Sequence, residues 1–567
     1  MEVQDPATTA AVELLIRELK SSRFHDSWGA ISQNLVHYCP RIRSRRQQKM
    51  LFDSLWTSPF LQSVSVDNIT TWFEISEAIF TWKLDISEPQ IKLADFFLFW
   101  DEALRKCQHW SVAHLALLSG ALSTDGKFQE FQERYAVDGS DTVASRYVAW
   151  RFKIFMPLWT AAITKQPQSP AIIEQLALIF VGQYPGEDAK NIPCSLLSQI
   201  LMDLCVRLLS GEISQHSFLS RHLSQVSHVL QVTLLSVPDT LISRILSQLC
   251  VATSNLATKE LNDGENDYKS LFYTHLLLTV VSVLKATVVR AEPHIQVCRQ
   301  VMFILFNLSF ITESFGTVGF EEFELSYEVT TLGLLRDNLN LLSVTEVMRS
   351  NLRSNTQNEV SNARMVFLFT FLERVLPYAA YPKPYFDEYL LPLIFGFIAS
   401  PQTRIAEAAH SACLALISNQ TVPYIQTWKL HGCKSYLLVS LSQFRQGRLN
   451  SGQLTMISQT IASQFASITR VAKDFSRQIL QTIYLAVLNC ENDAMRPVLI
   501  ECLIGQLPFV SHKYVWDWLD NCYELILKSR DHRVQLLDKL WQCILGSSDN
   551  TLLIEWWFRQ GLPSSKL

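Results

Sequence analysis

The chain has 567 residues, with 49 Lys+Arg against 53 Asp+Glu and a formal net charge of −4. Residues AVILMFWYC make up 48% and charged residues 18%, against roughly 25% charged in an ordinary soluble chain, so a large core can be built and a mostly disordered chain is excluded. Only 18 glycines and 20 prolines are present, which disfavours phosphate-cradling loops and all-β folds with a turn every few residues, and the balanced charge lacks the basic field that nucleic acid requires.

The length corresponds to about four domains at roughly 150 residues each, unless one repetitive helical array absorbs it. The start, Met1-Glu2-Val3-Gln4-Asp5-Pro6, lacks the basic and apolar regions of a secretory signal. The twelve cysteines contain no CxxC pair and read as reduced thiols packed as small hydrophobes.

Helical periodicity then dominates. Apolar stripes run through Ala11–Leu19, Ser195–Ser210, Ser224–Leu235, Thr240–Leu249, Gln453–Phe465, Phe475–Leu488 and Val534–Leu545. In Ser195–Ser210 the residues Leu196, Leu197, Ile200, Leu201, Leu204, Cys205 and Leu208 are expected to form the apolar face. Ser198, Gln199, Asp203 and Arg207 are expected on the other, with Asp203 and Arg207 at i,i+4. The basic run Arg41-Ile42-Arg43-Ser44-Arg45-Arg46, followed by Lys49, reads as an exposed helix start, or as a surface for an acidic protein or anionic lipid. Leu271–Leu284, Val301–Ile311, Met365–Leu372 and Tyr389–Ala399 are apolar, but short of the ~20 residues of a bilayer span; they read as buried helices. Phe386–Ala399 and Gln402–Ile417 look like a helix pair of the HEAT or armadillo kind. The expected fold is therefore all-α, a degenerate HEAT/armadillo-like α-solenoid of stacked helix pairs. Its regions are 1–135, 136–335, 336–560 and an exposed tail, 561–567.

No constellation for catalysis emerges. GxGxxG, GxxxxGK[ST], GxSxG and HExxH are all missing. His216, His222 and His228 are spaced by six, ~240° around a helix, so they cannot share a metal; they are expected on helix surfaces or caps. Glu321, Glu322, Glu324 and Glu328 are expected as a solvated charge run in a loop. Asp263 to Asp267 lacks the pattern of a calcium loop. No catalytic residue, cofactor or metal is expected. Trp516, Trp518, Trp541, Trp556 and Trp557 read mainly as core, with interface anchoring as the alternative.

The sequence closes on Ser565-Lys566-Leu567, the tripeptide of a peroxisomal matrix address, preceded by the helix breakers Gly561 and Pro563. A receptor can capture the carboxylate and apolar side chain of Leu567 and the cation of Lys566, while Ser565 fits a narrow cleft. This tripeptide, the length, the helical character, the segment Asn362–Ala399 and the tryptophan-rich Val515–Phe558 together resemble the fungal peroxin-8 family.

The resemblance implies a non-enzymatic biogenesis factor for import of peroxisomal matrix proteins, peripheral on the matrix side of the peroxisomal membrane. It implies contact with docking-complex and RING-complex peroxins and with the import receptor for the C-terminal signal, through Ser565, Lys566 and Leu567, and a part in cargo release. A second signal used by some members has its nearest match from Lys83-Leu84 to Gln90-Ile91, where Ile91 departs from the pattern; it is not carried over. Two other readings stay open: a matrix enzyme of unfamiliar helical fold, and a cytosolic solenoid adaptor with a fortuitous tail. A fluorescent protein fused ahead of the chain, leaving Leu567 last, is expected in puncta that overlap a peroxisomal marker; diffuse fluorescence would favour the adaptor.

Overall fold

A computed structural model describes residues 6–21, 28–63, 65–86, 91–135, 139–165, 168–183, 192–263, 268, 270–290, 293–315, 321–352, 358–469, 472–529, 531–547 and 550–560. All regular structure among these residues is helical. The chain forms two compact units, Met1–Thr330 and Thr331–Leu567, and the division falls inside the helix Glu321–Leu334.

Side-chain hydrogen bonds between successive layers give the repeat length directly. In the first unit, Gln300 Nε2 donates to Ser247 Oγ (2.7 Å) and Asn307 Nδ2 to Thr253 Oγ1 (3.3 Å), across 53 and 54 residues. Both positions advance together, so helices Asp239–Asp263 and Ile295–Asn307 run parallel. Ser227 donates to Ser282 (2.7 Å) across 55 residues, and Lys106 reaches Asp53 (2.7 Å) across 53. In the second unit the steps are shorter. Asn419 Nδ2 donates to the Leu376 carbonyl across 43 residues, Arg445 to that of Ala486 across 41, and Gln506 to that of Ser458 across 48. The shorter set matches the roughly 40–47 residues of HEAT and armadillo repeats, and parallel equivalents stacked this way are the fold of an α-solenoid.

Antiparallel helices complete the layers. Ser76 Oγ donates to the Leu117 carbonyl (2.6 Å), while Gly120 lies against the carbonyl of Phe73, so Ile69–Asp85 and Val112–Leu122 run in opposite senses. This crossing depends on glycine: a Cβ at Gly120 would stand 2.1 Å from the Phe73 carbonyl oxygen and 2.3 Å from Ser76 Oγ.

Around it lies an aromatic core of Phe52, Phe80, Phe96, Phe97, Trp100 and Trp150, all fully buried, with rings mostly meeting edge to face. Phe97 and Trp150 stack in parallel at 5.5 Å, so residues on either side of position 135 share this core. Two π-helical turns, Trp150–Phe155 and Phe386–Leu390, each lead into a helix with proline at its second position, Pro157 and Pro392. Proline lacks the N–H for the bond to i−4 and crowds that carbonyl, and a wider turn relieves both problems.

Several sequence-based expectations need correcting. Glu321, Glu322, Glu324 and Glu328 are helical, not in a loop: helix Glu321–Leu334 opens on three of them, where its dipole favours negative charge. Glu322 also pairs with Lys285 at 3.0 Å. The apolar stretch begun at Leu271 runs through Lys285 to Val289. This 19-residue helix is long and apolar enough to cross a membrane, with a mean hydropathy of 1.6 over its apolar window, yet 67% of that window is buried against the protein. Ser198 lies on the buried face and donates to Thr233 Oγ1 (2.7 Å), whereas Leu196, expected on the apolar face, is exposed. Arg207 pairs with Glu174 (2.8 Å), and Asp203 accepts from Gln248 (3.2 Å), so the i,i+4 pair is replaced by contacts to neighbouring helices.

Replacing Gly120 with Ala is expected to destabilise the first unit by about 3 kcal/mol, the upper part of the overpacking range, because the obstruction is backbone. Gly126→Ala, where nothing lies within 4 Å of a new Cβ, should be neutral or stabilising by up to ~1 kcal/mol. The midpoint of the first urea transition reports both.

Candidate functional site

Ser565, Lys566 and Leu567 lie outside the described residues. The chain is described up to Gln560, and what leads there is firmly anchored. In the helix Asn550–Arg559, buried Trp556 donates its indole N–H to Asp520 Oδ1 (2.8 Å) and buried Trp557 packs on Trp541 at 5.0 Å. The Arg559 guanidinium covers the face of Trp516 at 4.8 Å, and Trp518 is buried against Tyr484. These contacts fix the helix Asn550–Arg559 to His512–Lys528 and Arg533–Leu545; Trp518, Trp556 and Trp557 take the core role expected, while Trp516 and Trp541 are half-buried.

The basic run is a helix start, with its charges largely answered from within. Ser44 caps the helix Arg45–Trp56 by accepting from the Gln47 N–H (3.4 Å). Cations at a helix N-terminus oppose the dipole. Arg45 pairs with Asp95, and Lys49 with Glu102 at 3.0 Å, both over the ring of Phe99. Arg41 lies over Trp82, 5.0 Å from the ring centre. Beside it a surface groove of about 370 Å3, lined by Val36, His37, Arg41, Glu74, Ile75 and Trp82, separates the helices Trp28–Tyr38 and Ile69–Asp85.

Buried titratable groups are numerous, and the buried histidines and lysines are each held by hydrogen bonds. His216, His222 and His228 stay apart, as their spacing requires, and no metal-binding cluster of His, Cys, Asp and Glu occurs among the described residues. His222 stands at the cap position between the helices Phe218–Arg221 and Leu223–Thr233, but it is buried rather than on a surface, stacked on Phe218 and 3.5 Å from Glu77. Sequence patterning did not single out His114. Its Nδ1 accepts the Ser111 N–H (3.2 Å), which sets the tautomer and leaves Nε2–H to donate to the Trp56 carbonyl (3.2 Å). Burial drives its pKa from 6.5 to about 4.

Lys83 and Lys429, both buried, are lowered to about 8 by desolvation. Lys429 donates to the Asn419 carbonyl and to Gln464 Oε1 (2.9 Å). The Asn419 side chain donates to the carbonyls of Leu376 and Ala379 and accepts from the N–H groups of Thr421 and Val422. The visible signal for this hub is an Asn just ahead of Val422-Pro423, where a helix begins. Lys83 lies inside a helix with its amine on the Pro40 carbonyl (3.4 Å). All twelve cysteines are free thiols, and burial raises Cys39, Cys205 and Cys433 to about 12 and Cys502 to about 11. A thiol at such values holds almost no thiolate near neutrality, so these are packing groups.

The fold defines a helical-repeat protein. Comparison with known families makes the assignment specific. Residues 206–322 match the family model "PEX8 helical domain", and residues 430–566 match "PEX8 C-terminal domain". Peroxisomal biogenesis factor 8 of Saccharomyces cerevisiae is 26% identical over 94% of this chain and 94% of its own length. That of Komagataella phaffii is 20% identical over 92% of this chain and 90% of its own. Among solved structures, Kap121p aligns with 98% of this chain at 12% identity and a TM-score of 0.42, and this chain spans only 57% of it. SYS-1 aligns with 95% at a TM-score of 0.29, and this chain covers 85% of it. The chain belongs to the fungal peroxin-8 family. It is a peroxisomal protein, a biogenesis factor of that organelle.

The His114 shift has a definite sign. The folded protein resists protonating this ring, so as pH falls the unfolded state takes up the proton first, and stability drains away between pH 6.5 and about 4, then levels off. The loss amounts to about 3 kcal/mol when complete. His114→Gln, which keeps a donor but cannot titrate, should melt lower than wild type at pH 7 and show a shallower fall in Tm from pH 6.5 to 4.

Proposed function

We propose that this chain is a non-enzymatic scaffold for import of peroxisomal matrix proteins, held peripherally on the matrix face of the membrane. It brings docking-complex peroxins and the RING ubiquitin-ligase peroxins together, binds the import receptor through Ser565, Lys566 and Leu567, and assists cargo release. The observation that carries the reading is the similarity to Peroxisomal biogenesis factor 8 along 94% of both chains. Stacked helix layers support it physically, since such stacks present extended surfaces on which several partners dock side by side. The anchored helix Asn550–Arg559 supports it too, because the chain is held firmly up to a point a few residues ahead of Ser565.

The receptor contact and the scaffold role separate experimentally. Deleting the gene is expected to leave matrix enzymes bearing the C-terminal signal in the cytosol, and affinity purification of the tagged protein from organelles should recover docking and RING peroxins. Truncation after Ser564 should abolish binding of the purified protein to the receptor's signal-binding domain. Normal cargo import in the deletion strain would end the scaffold reading; undiminished receptor binding by the truncated chain would end the assignment to the last three residues.

A further inference from the structure

Within the first unit a cavity of about 380 Å3 opens between the helices Ile69–Asp85, Asp125–Arg134 and Leu223–Thr233, the π turn Trp150–Phe155 and the turn Phe180–Gly182. That size falls within the range of small-ligand pockets, roughly 300–1,000 Å3. Its floor is apolar: Phe73, Leu122, Val181 and Val229, all buried. Gly182 keeps the floor open, because a Cβ there would stand 2.7 Å from the Phe73 ring.

The polar groups converge on one side and are unequal. Arg151, placed by the π turn, is held at two edges: its Nη2 pairs with Asp125 Oδ2 (2.9 Å) and its Nε donates to Gln183 Oε1 (3.3 Å). Gln183 is itself buried and tied to Ser119 (3.0 Å). The guanidinium is therefore oriented, with Nη1 left to donate. Asp125 is spent on Arg151 and on Gln129 Nε2 (3.4 Å). Gln225 accepts from Ser224 Oγ (2.9 Å) at its Oε1, which leaves its amide N–H2 available. An entering molecule meets a fixed cation edge and a carboxamide donor above an apolar floor, with Ser123, Gln129 and His228 completing the polar lining. Oriented guanidinium groups favour carboxylates by paired, charge-assisted hydrogen bonds, and π turns recur at functional sites.

We propose that this cavity is a binding site for a small carboxylate with a compact apolar body, its carboxylate on Arg151 and Gln225 and its apolar part over Phe73, Leu122 and Val229. This does not depend on the scaffold reading. Two sources share the chemistry, a peptide chain terminus and a free acyl acid, and the probes separate them. Calorimetric titration of the full-length protein with N-acetyl-leucine and with octanoate is expected to show saturable binding of at least one. The tighter acid identifies the source, and N-acetyl-leucine amide should bind at least about tenfold more weakly. Arg151→Gln should weaken binding by a similar factor. Because that change disturbs Asp125, Gly126→Leu provides the second variant: it fills the mouth from a position with nothing within 4 Å and removes a helical glycine, so it should lose binding while keeping its Tm. Failure of both acids to bind, equal binding of the amide, or undiminished binding in folded Gly126→Leu would each overturn the proposal.

Discussion

The structure depends on one constraint: each helix has an apolar stripe that it cannot hide alone, so every layer is stable only against its neighbours. The constraint reaches beyond hydrophobic burial, because helices so closely stacked also trap polar side chains between them. Many of these bond from layer to layer, as in Ser227 with Ser282, Asn307 with Thr253, and the Gln506 amide N–H with the Ser458 carbonyl. A buried donor or acceptor without a partner costs about 1–3 kcal/mol, more than the same bond contributes when made. Such contacts therefore act chiefly against slippage: a register shift by one residue would strand both ends.

How much of this the sequence disclosed follows from the same physics. Helix positions were legible because a stripe repeats every 3.6 residues regardless of what covers it; Phe475–Leu488 is the same in both readings. The repeat itself was not. Its length varies from 41 to 55 residues, and its markers are single polar residues such as Ser227 and Asn419, whose partners lie far away in the chain. The same holds for the cavity, whose side is built from Asp125, Arg151 and Gln183 on three separate elements. The errors share a cause as well. Ser198 and His222 are polar side chains read as surface; Ser198 is buried with its bond supplied by Thr233 of a neighbouring helix, and His222 with its bond made to the Phe218 carbonyl four residues back.

The family assignment shifts where function should be sought. In a protein of this kind the informative residues are those that hold surfaces in place, and the tryptophans near the end illustrate it. Trp556 and Trp557 are spent on securing one short helix to its neighbours, which gives the segment beyond it a fixed base rather than a loose one. The basic run at Arg41–Arg46 shows the reverse, a charge cluster conspicuous in one dimension and mostly answered by Asp95, Glu102 and aromatic faces in three.

The cysteines carry one last consequence. This protein works in an organelle named for its peroxide, and peroxide oxidises sulfur as the thiolate. With Cys39, Cys205 and Cys433 lifted to about 12, sulfur in the intact fold is nearly inert to it. Unwinding a layer would expose that sulfur and drop its acidity constant back towards an ordinary thiol's. Sulfenylated molecules would then mark those that had come apart, turning an unremarkable packing residue into a chemical memory of lost structure.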